Sequence, residues 1–192
     1  MLKTERTSVM NFENAIRGAR NPMNSWDRSD SYYDEKGNYV LGENDLSLAV
    51  RLARAGSDHR KYLRQIIVSM DITAPLYWWK EFDTYKVGTV ANSCSTMHKI
   101  ADKEFVPSDF SLDHLDEGNC EFFETLIYRL NAYREKFLET NDKVYWWQMI
   151  QLLPSSYNQK RTIMLNYEVL VGIYKWRKEH KLDEWRQTVW DL

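Results

Sequence analysis

The stretch Gln65–Lys99, QIIVSMDITAPLYWWKEFDTYKVGTVANSCSTMHK, decides the fold of this chain. Its first residues alternate between apolar and polar side chains. Alternation of this kind predicts a β-strand that is buried on one face. The apolar side of the predicted strand comprises Ile66, Val68, Met70 and Ile72. The rest of the chain is expected to pack around this strand.

An aromatic helix is expected directly after the strand. Pro75 stands where a helix can begin, because a proline at the first helical position loses no hydrogen bond. The segment from Pro75 to Tyr85 is aromatic and carries charges of both signs, and Gly88 closes it. A loop of small polar residues is expected to follow, at 89–96. A strand, a helix and a polar loop in this order build a ligand site, although they also build ordinary cores.

Length and composition limit the classes of function. The chain has 192 residues, enough to bury a core as one domain spanning 1–192. The formal net charge of −2 predicts no general affinity for nucleic-acid polymers. Two cysteines, Cys94 and Cys120, fit a reducing compartment. No signal-peptide core and no apolar run of about 18 residues is present, so we expect a cytoplasmic protein with no membrane partner.

Periodicity along the chain predicts an α+β fold that is mainly helical, with a small central sheet, antiparallel or mixed. Two long loops are expected, at 21–42 and 100–117. Aromatic residues make up 14% of the chain, which favours a helical core with thick interfaces, and also suits a planar ligand. The expected helices lie at 11–20, 46–53, 119–140, 182–190 and from Ser155 or Ser156 to about Lys178.

Several kinds of catalytic site are excluded. The sequence contains no phosphate-binding P-loop, no dinucleotide-binding fingerprint, no C-x-x-C and no H-E-x-x-H. Its four histidines, at 59, 98, 114 and 180, lack metal-ligand spacing, so no metal site is predicted. Cys94 lies in the polar loop, but no basic partner is identifiable, and we expect a small buried thiol rather than a nucleophile.

One face of the predicted helix before Lys178 joins polar and apolar residues. Asn166 and Arg177 flank Leu170 and Ile173 at helical spacing. At 1.5 Å per residue the two polar ends would lie roughly 16 Å apart. This face could grip both ends of an elongated ligand. It could equally be a packed stripe that ends in an exposed arginine.

A series of stretches carries a family resemblance: F-E-N-A-I-R-G-A-R (12–20), A-G-S-D-H (55–59), I-T-A-P-L-Y-W-W-K-E-F-D-T-Y-K (72–86), L-L-P-S-S-Y (152–157), L-N-Y-E-V-L (165–170), W-R (176–177) and E-W-R (184–186). In order and spacing they resemble the flavin-dependent thymidylate synthases (ThyX). That family has an opening helix ending in Ala-Ala-Arg, a Gly-His segment before its central strand, and a helix leading into the signature R-H-R-x-x-S-x-N-E-x-S-x-R-Y. Leu-Pro, Asn-x-Arg, Leu-Arg and Glu-Ile-Arg follow.

The signature itself is altered here. Where the family has R-H-R, this chain reads Thr-Tyr-Lys at 84–86, or Tyr-Lys-Val at 85–87 if the register slips by one. The first register keeps one cation and puts Thr89 at the family's serine. The second matches Asn92 and Ser95 to the family's asparagine and second serine. The closing arginine and tyrosine are absent in both registers.

Other arginines of the family are missing as well. No cation stands at 147–152, ahead of Leu-Pro, and Glu168 replaces the arginine of Asn-x-Arg. Arg177 is the nucleotide-binding arginine that remains. In the family these arginines bind phosphates through bidentate charge-assisted hydrogen bonds, which lysine cannot reproduce.

The resemblance implies FAD as cofactor, a dUMP-like nucleotide as small-molecule ligand, and a homotetramer with composite sites between subunits. The implied cofactor-binding residues are Lys86, Thr89, Asn166 and His59. The implied nucleotide-binding residues are Arg177, Asn92, Ser95 and Tyr85. Three interpretations stay open: a divergent synthase, a non-catalytic protein that binds or sequesters a nucleotide on the same fold, and an aromatic-rich structural oligomer.

Overall fold

The computed structural model describes residues 2–191, and the side chains of residues 2–187. Over this range the chain forms a four-stranded sheet, a two-stranded hairpin and a set of helices. The strands are β1 (Lys3–Met10), β2 (Tyr32–Tyr33), β3 (Tyr39–Val40), β4 (Ile67–Pro75), β5 (Thr89–Ser93) and β6 (Asn158–Asn166). The helices are α1 (Phe12–Gly18), α2 (Glu43–Arg54), α3 (Leu76–Phe82), α4 (Thr96–Lys99), α5 (Glu117–Thr140), α6 (Lys143–Leu152), α7 (Tyr167–Arg177) and α8 (Asp183–Asp191).

The sheet has the order β1-β4-β6-β5, and each neighbouring pair is antiparallel. The predicted central strand is therefore central, since β4 pairs with β1 on one side and with β6 on the other. Alternate residues of β4 are buried, as the apolar alternation predicts. Pro75 is the last residue of β4 and the N-cap of α3, so the helix begins at Leu76, one position after the start that the sequence suggested.

Aromatic residues fill the core on the helical side of the sheet. Trp78 and Trp79 of α3 and Trp185 of α8 are all fully buried. The ring centroids of Trp78 and Trp185 lie 4.6 Å apart, and those of Trp78 and Phe82 lie 5.1 Å apart in a stacked arrangement. Buried aromatic surface of this size stabilises the fold strongly. It also fixes the end of α3, and hence the turn that leads to β5.

Two predictions about secondary structure were wrong. Residues 158–166 form the strand β6, where a continuous helix to Lys178 was expected, and α7 begins only after Asn166. The alternating burial of Ile163 and Leu165 is the physical reason, and the charged residues at 160–161 obscured that alternation. Residues 89–93 form the edge strand β5 instead of a loop, consistent with the β-branched residues at its start.

The long polar segment 21–42 is partly ordered by the hairpin β2–β3 and by two short 3-10 turns. None of the helices among the described residues combines the length and the apolar composition needed to cross a lipid bilayer. In the same part of the chain, no group of three histidine, cysteine or acidic side chains is arranged to hold a metal ion.

Candidate functional site

A small cavity opens where the turn after α3 enters β5. Its volume is about 190 Å³, and it is lined by Phe82, Asp83, Tyr85, Lys86, Thr89 and Ala91. The hydroxyl oxygen of Thr89 is buried and has no hydrogen-bond partner. Lys86 is exposed and forms no ion pair with the described residues. The cavity therefore offers an unpaired hydroxyl from Thr89 and an unpaired positive charge from Lys86. An anionic or hydroxyl-bearing ligand group could bind to both.

Gly88 brings this turn against the start of α7. Its φ of +76° lies in the left-handed region, and a Cβ at this position would lie 2.4 Å from Nδ2 of Asn166. Asn166 is the N-cap of α7, where its Oδ1 accepts a 3.1 Å hydrogen bond from the backbone N–H of Val169. The side chain of Asn166 therefore lies against the residue directly before Thr89, which brings these two predicted site residues to one region.

Arg177 ends α7 and is held by its own chain. Its Nη1 donates a 2.8 Å hydrogen bond to Glu81 Oε2, and its Nε donates a 2.9 Å hydrogen bond to the Tyr85 hydroxyl. The guanidinium also lies over the Trp185 ring, 4.6 Å from the centroid. The predicted grip on a phosphate by Arg177 and Tyr85 would thus have to compete with a carboxylate that already occupies the arginine.

The remaining predicted residues are dispersed. Thr89 and Asn92 are three positions apart on β5, so strand alternation sends their side chains to opposite faces of the sheet. Ser95 is the N-cap of α4 and accepts a 3.1 Å hydrogen bond from the His98 backbone N–H. His59 is exposed in the connection after α2. A single chain therefore brings Tyr85, Lys86, Thr89, Asn166 and Arg177 to one region, and leaves Asn92, Ser95 and His59 outside it.

Ser95 lines a second cavity of about 460 Å³, at the other end of β5. Cys94 lies in the same wall and is exposed, so the expectation of a buried thiol was wrong. Three lysines line this cavity, and each is paired with a carboxylate: Lys99 with Asp102, Lys103 with Asp109, and Lys160 with Asp71 and Glu5.

Two residues determine the electrostatics of the second cavity: Tyr157, whose phenol is neutral, and Lys160, whose charge is paired with carboxylates. Burial raises the pKa of Tyr157, so its hydroxyl stays protonated and can donate a hydrogen bond. The hydrogen bond to Asp71 raises the pKa of Lys160. Bonds from Thr162 and Lys160 in turn lower the pKa of Asp71. Charges balanced in this way attract a further anion weakly.

Cations that sequence reasoning missed lie near the start of α7 and on β6. Arg60 donates to Glu168 at 2.9 Å, and Arg64 lies 3.5 Å from the same carboxylate. Glu168, which replaces a family arginine, is therefore turned towards two arginines. The i, i+4 spacing of Arg60 and Arg64 was the available signal. Arg161 stacks over the Trp79 ring at 4.3 Å and donates to Asp83 at 2.8 Å, a contact that only the strand β6 makes possible.

Comparison with known proteins gives a structural match without a sequence match. No protein-family model and no curated protein matches the sequence. The flavin-dependent thymidylate synthase ThyX of Helicobacter pylori, solved with FAD and dUMP, superposes with a TM-score of 0.69 at 17% identity, over 97% of this chain and 90% of that chain. A second structure of ThyX from the same organism with FAD and dUMP, at 2.31 Å resolution, gives a TM-score of 0.69 at 16% identity, over 98% and 90%.

Matches at such low identity establish the fold, and they do so over nearly the whole chain. The predicted α+β class and the predicted resemblance in fold are both confirmed. The chain has the fold of the flavin-dependent thymidylate synthases.

Proposed function

We propose that this chain, as a single domain over 1–192, binds a flavin, a dUMP-like nucleotide or both on the ThyX fold. The observation that carries the proposal is the cavity at the turn after α3. There the buried Thr89 hydroxyl lacks a hydrogen-bond partner, and Lys86 forms no ion pair with a carboxylate of the described residues. The superposed ThyX structures contain FAD and dUMP.

The residues present fit part of a flavin rather than all of it. A cavity of about 190 Å³ is smaller than the roughly 300–1,000 Å³ of sites that enclose a small molecule. It suits one phosphate or one hydroxyl-bearing group. A second copy of the chain would have to cover the remainder, so the proposal includes a homo-oligomer, with the tetramer as the expected form.

Within this proposal the predicted roles are kept as assigned. Lys86, Thr89, Asn166 and His59 would contact the flavin, which when bound would supply hydride transfer. The nucleotide would be contacted by Arg177, Asn92, Ser95 and Tyr85. The dispersion of Asn92, Ser95 and His59 in one chain agrees with composite sites, in which a neighbouring copy brings the missing side chains.

A non-catalytic nucleotide-binding protein is the second candidate, and one contact favours it. Arg177 is neutralised by Glu81, and its side chain is 19% exposed. An arginine that a carboxylate already holds cannot give a phosphate the bidentate bonds on which tight positioning depends. Binding would survive such a change more readily than a reaction that needs the nucleotide held in one exact position.

The first experiment is the visible absorption spectrum of the purified protein, before and after incubation with FAD and desalting. Retained flavin bands that are lost in Lys86→Ala and kept in Lys80→Ala would support the cofactor site. Lys80 is the matched control because it is an exposed lysine on α3 outside the cavity. Calorimetric titration with dUMP, alone and with FAD, then shows whether the nucleotide binds in the absence of flavin, as the second candidate requires. Failure to bind FAD and dUMP alike would refute both.

A further inference from the structure

A third, polar groove is lined by residues between 20 and 55 and contains none of the predicted site residues. It runs between α2 and the two short 3-10 turns that follow α1, at Asn21–Met23 and Trp26–Arg28. Its volume is about 860 Å³. The lining is Arg20, Met23, Asn24, Ser25, Asp27, Arg28, Asn44, Ser47, Leu48, Arg51, Leu52 and Ala55.

Arg20 is the fixed element of this groove. It is 4% exposed, its Nε donates a 2.5 Å hydrogen bond to Asp45 Oδ1, and its Nη1 donates to the Ser25 carbonyl at 3.2 Å. Its Nη2 is buried and has no partner. A guanidinium carries five N–H donors in a fixed plane, so the orphaned Nη2 presents two donors in a known direction. Such groups in folded proteins are rarely left without an acceptor.

Asp45 does not accept a hydrogen bond from this Nη2, and most of its acceptor capacity is used by other groups. Oδ2 accepts hydrogen bonds from the hydroxyls of Ser29 and Ser31 at 2.7 and 2.5 Å, and from the Ser31 backbone N–H at 3.2 Å. Oδ1 is taken by Arg20 Nε. Asp45 thus holds Arg20 in place through Nε, and the Nη2 of Arg20, a residue of the groove lining, is left without an acceptor.

The other charged residues of the lining give the groove a positive balance. Arg28 and Arg51 are exposed and form no ion pair with the described residues. Asp27 is the acidic residue among those that line the groove. Because Asp45 compensates Arg20, two free arginines face one carboxylate. Amide and hydroxyl side chains at Asn24, Asn44 and Ser47 add further hydrogen-bonding groups.

We propose that this groove binds a phosphate group, with Arg28 and Arg51 supplying charge and the Nη2 of Arg20 supplying a fixed donor. Arginine forks match the geometry of phosphate oxygens and bind them in pairs. Leu48 and Leu52 offer an apolar wall beside the phosphate position, so a phosphomonoester with a small apolar body fits as well as free phosphate. The site is independent of the flavin and nucleotide site proposed above.

The test is calorimetric titration with inorganic phosphate and with phenyl phosphate, at constant ionic strength. Arg28→Gln/Arg51→Gln should weaken the binding of whichever probe binds by at least about tenfold. The matched control is Arg54→Gln/Arg129→Gln, which removes the same charge from exposed arginines outside the groove. It should leave the affinity within about twofold, as should Lys86→Ala, which tests the other site.

A second variant avoids any dependence on the buried Arg20. Ser47→Asp places a negative charge on an exposed position of the lining and should abolish phosphate binding, while the unfolding midpoint stays near that of the wild type. The proposal is overturned if the wild-type protein binds neither probe. It is equally overturned if both double variants weaken binding to the same extent, since that result would show a general effect of net charge.

Discussion

Arg177 Nη1 lies 2.8 Å from Glu81 Oε2, and this contact joins the last residue of α7 to α3. The same carboxylate oxygen accepts a 3.1 Å hydrogen bond from Trp185 Nε1 and lies 3.3 Å from His180 Nε2. One oxygen atom of Glu81 therefore contacts polar groups from α7, from α8 and from the connection between these two helices. A phosphate that approached Arg177 would have to displace this carboxylate or share the arginine with it.

Replacing Glu81 with glutamine should release Arg177 for ligand binding. We expect Glu81→Gln to raise the affinity for dUMP by about tenfold, or about 1.4 kcal/mol. The reason is that glutamine removes the competing negative charge but keeps the size of the side chain and one oxygen acceptor. Isothermal titration calorimetry measures this directly. The double variant Glu81→Gln/Arg177→Ala is the control, and it should lose the gain. A gain that persists in the double variant would show that Arg177 does not contact the nucleotide.

Trp185 should be a principal stabilising residue of the fold. It is fully buried against Trp78, whereas Trp176 of α7 is 70% exposed. Trp185→Ala should lower the free energy of unfolding by about 3–5 kcal/mol, because it leaves a large cavity. Trp176→Ala, the matched control, should change it by no more than about 0.5 kcal/mol. Urea denaturation measures both, and equal losses in the two variants would contradict the assignment of the core.

The sequence was sufficient for the central strand, because Val68, Met70 and Ile72 alternate without interruption, and for the long helix α5, because its apolar spacing extends over many turns. It was insufficient for β6. There Ile163 and Leu165 are the apolar residues that alternate, and the neighbouring Lys160 and Arg161 bind partners that are distant in sequence. Tertiary pairing with β4 overrides the local pattern.

The residues of the candidate site could be predicted in part from the sequence, but the side chains with which they form hydrogen bonds and ion pairs could not. Tyr85, Lys86 and Thr89 do line one cavity. However, the sequence cannot show that Glu81 holds Arg177, because that contact spans 96 positions. Similarly, Asn92 and Thr89 lie on opposite faces because residues 89–93 form a strand. A loop was expected at 89–96 from the sequence, and so this separation could not be predicted.

Gly88 should be intolerant of a side chain for two separate reasons. Gly88→Ala introduces a Cβ at a φ of +76° and 2.4 Å from Asn166 Nδ2, next to the N-cap of α7. Gly37 has a similar φ of +80° with nothing within 4 Å, so Gly37→Ala isolates the backbone cost of about 1–2 kcal/mol. We expect Gly88→Ala to cost more than Gly37→Ala in thermal or urea unfolding. Equal costs would mean that Asn166 moves aside freely.

Asp45 should make stability depend on pH in the acid range. Burial alone would raise the pKa of this carboxyl, but hydrogen bonds from Ser31, Ser29 and Arg20 hold it below its ordinary value. A carboxyl whose pKa is lower in the folded state stabilises the protein fully above its unfolded pKa of about 3.9, and loses that contribution as the pH falls through the folded pKa.

Asp45→Asn should therefore be most destabilising near neutral pH, where Arg20 is left buried without its counter-charge, at a cost of about 3 kcal/mol. The difference from wild type should begin to shrink below about pH 4, where Asp45 of the unfolded chain takes up a proton, and should shrink further as the pH falls through the lower pKa of the folded state. Urea unfolding of both proteins between about pH 3 and pH 7 measures this trend. Asp58→Asn, at an exposed carboxylate, is the matched control and should show a small difference throughout. A deficit in Asp45→Asn that stays constant with pH would show that shape, and not charge, makes this position important.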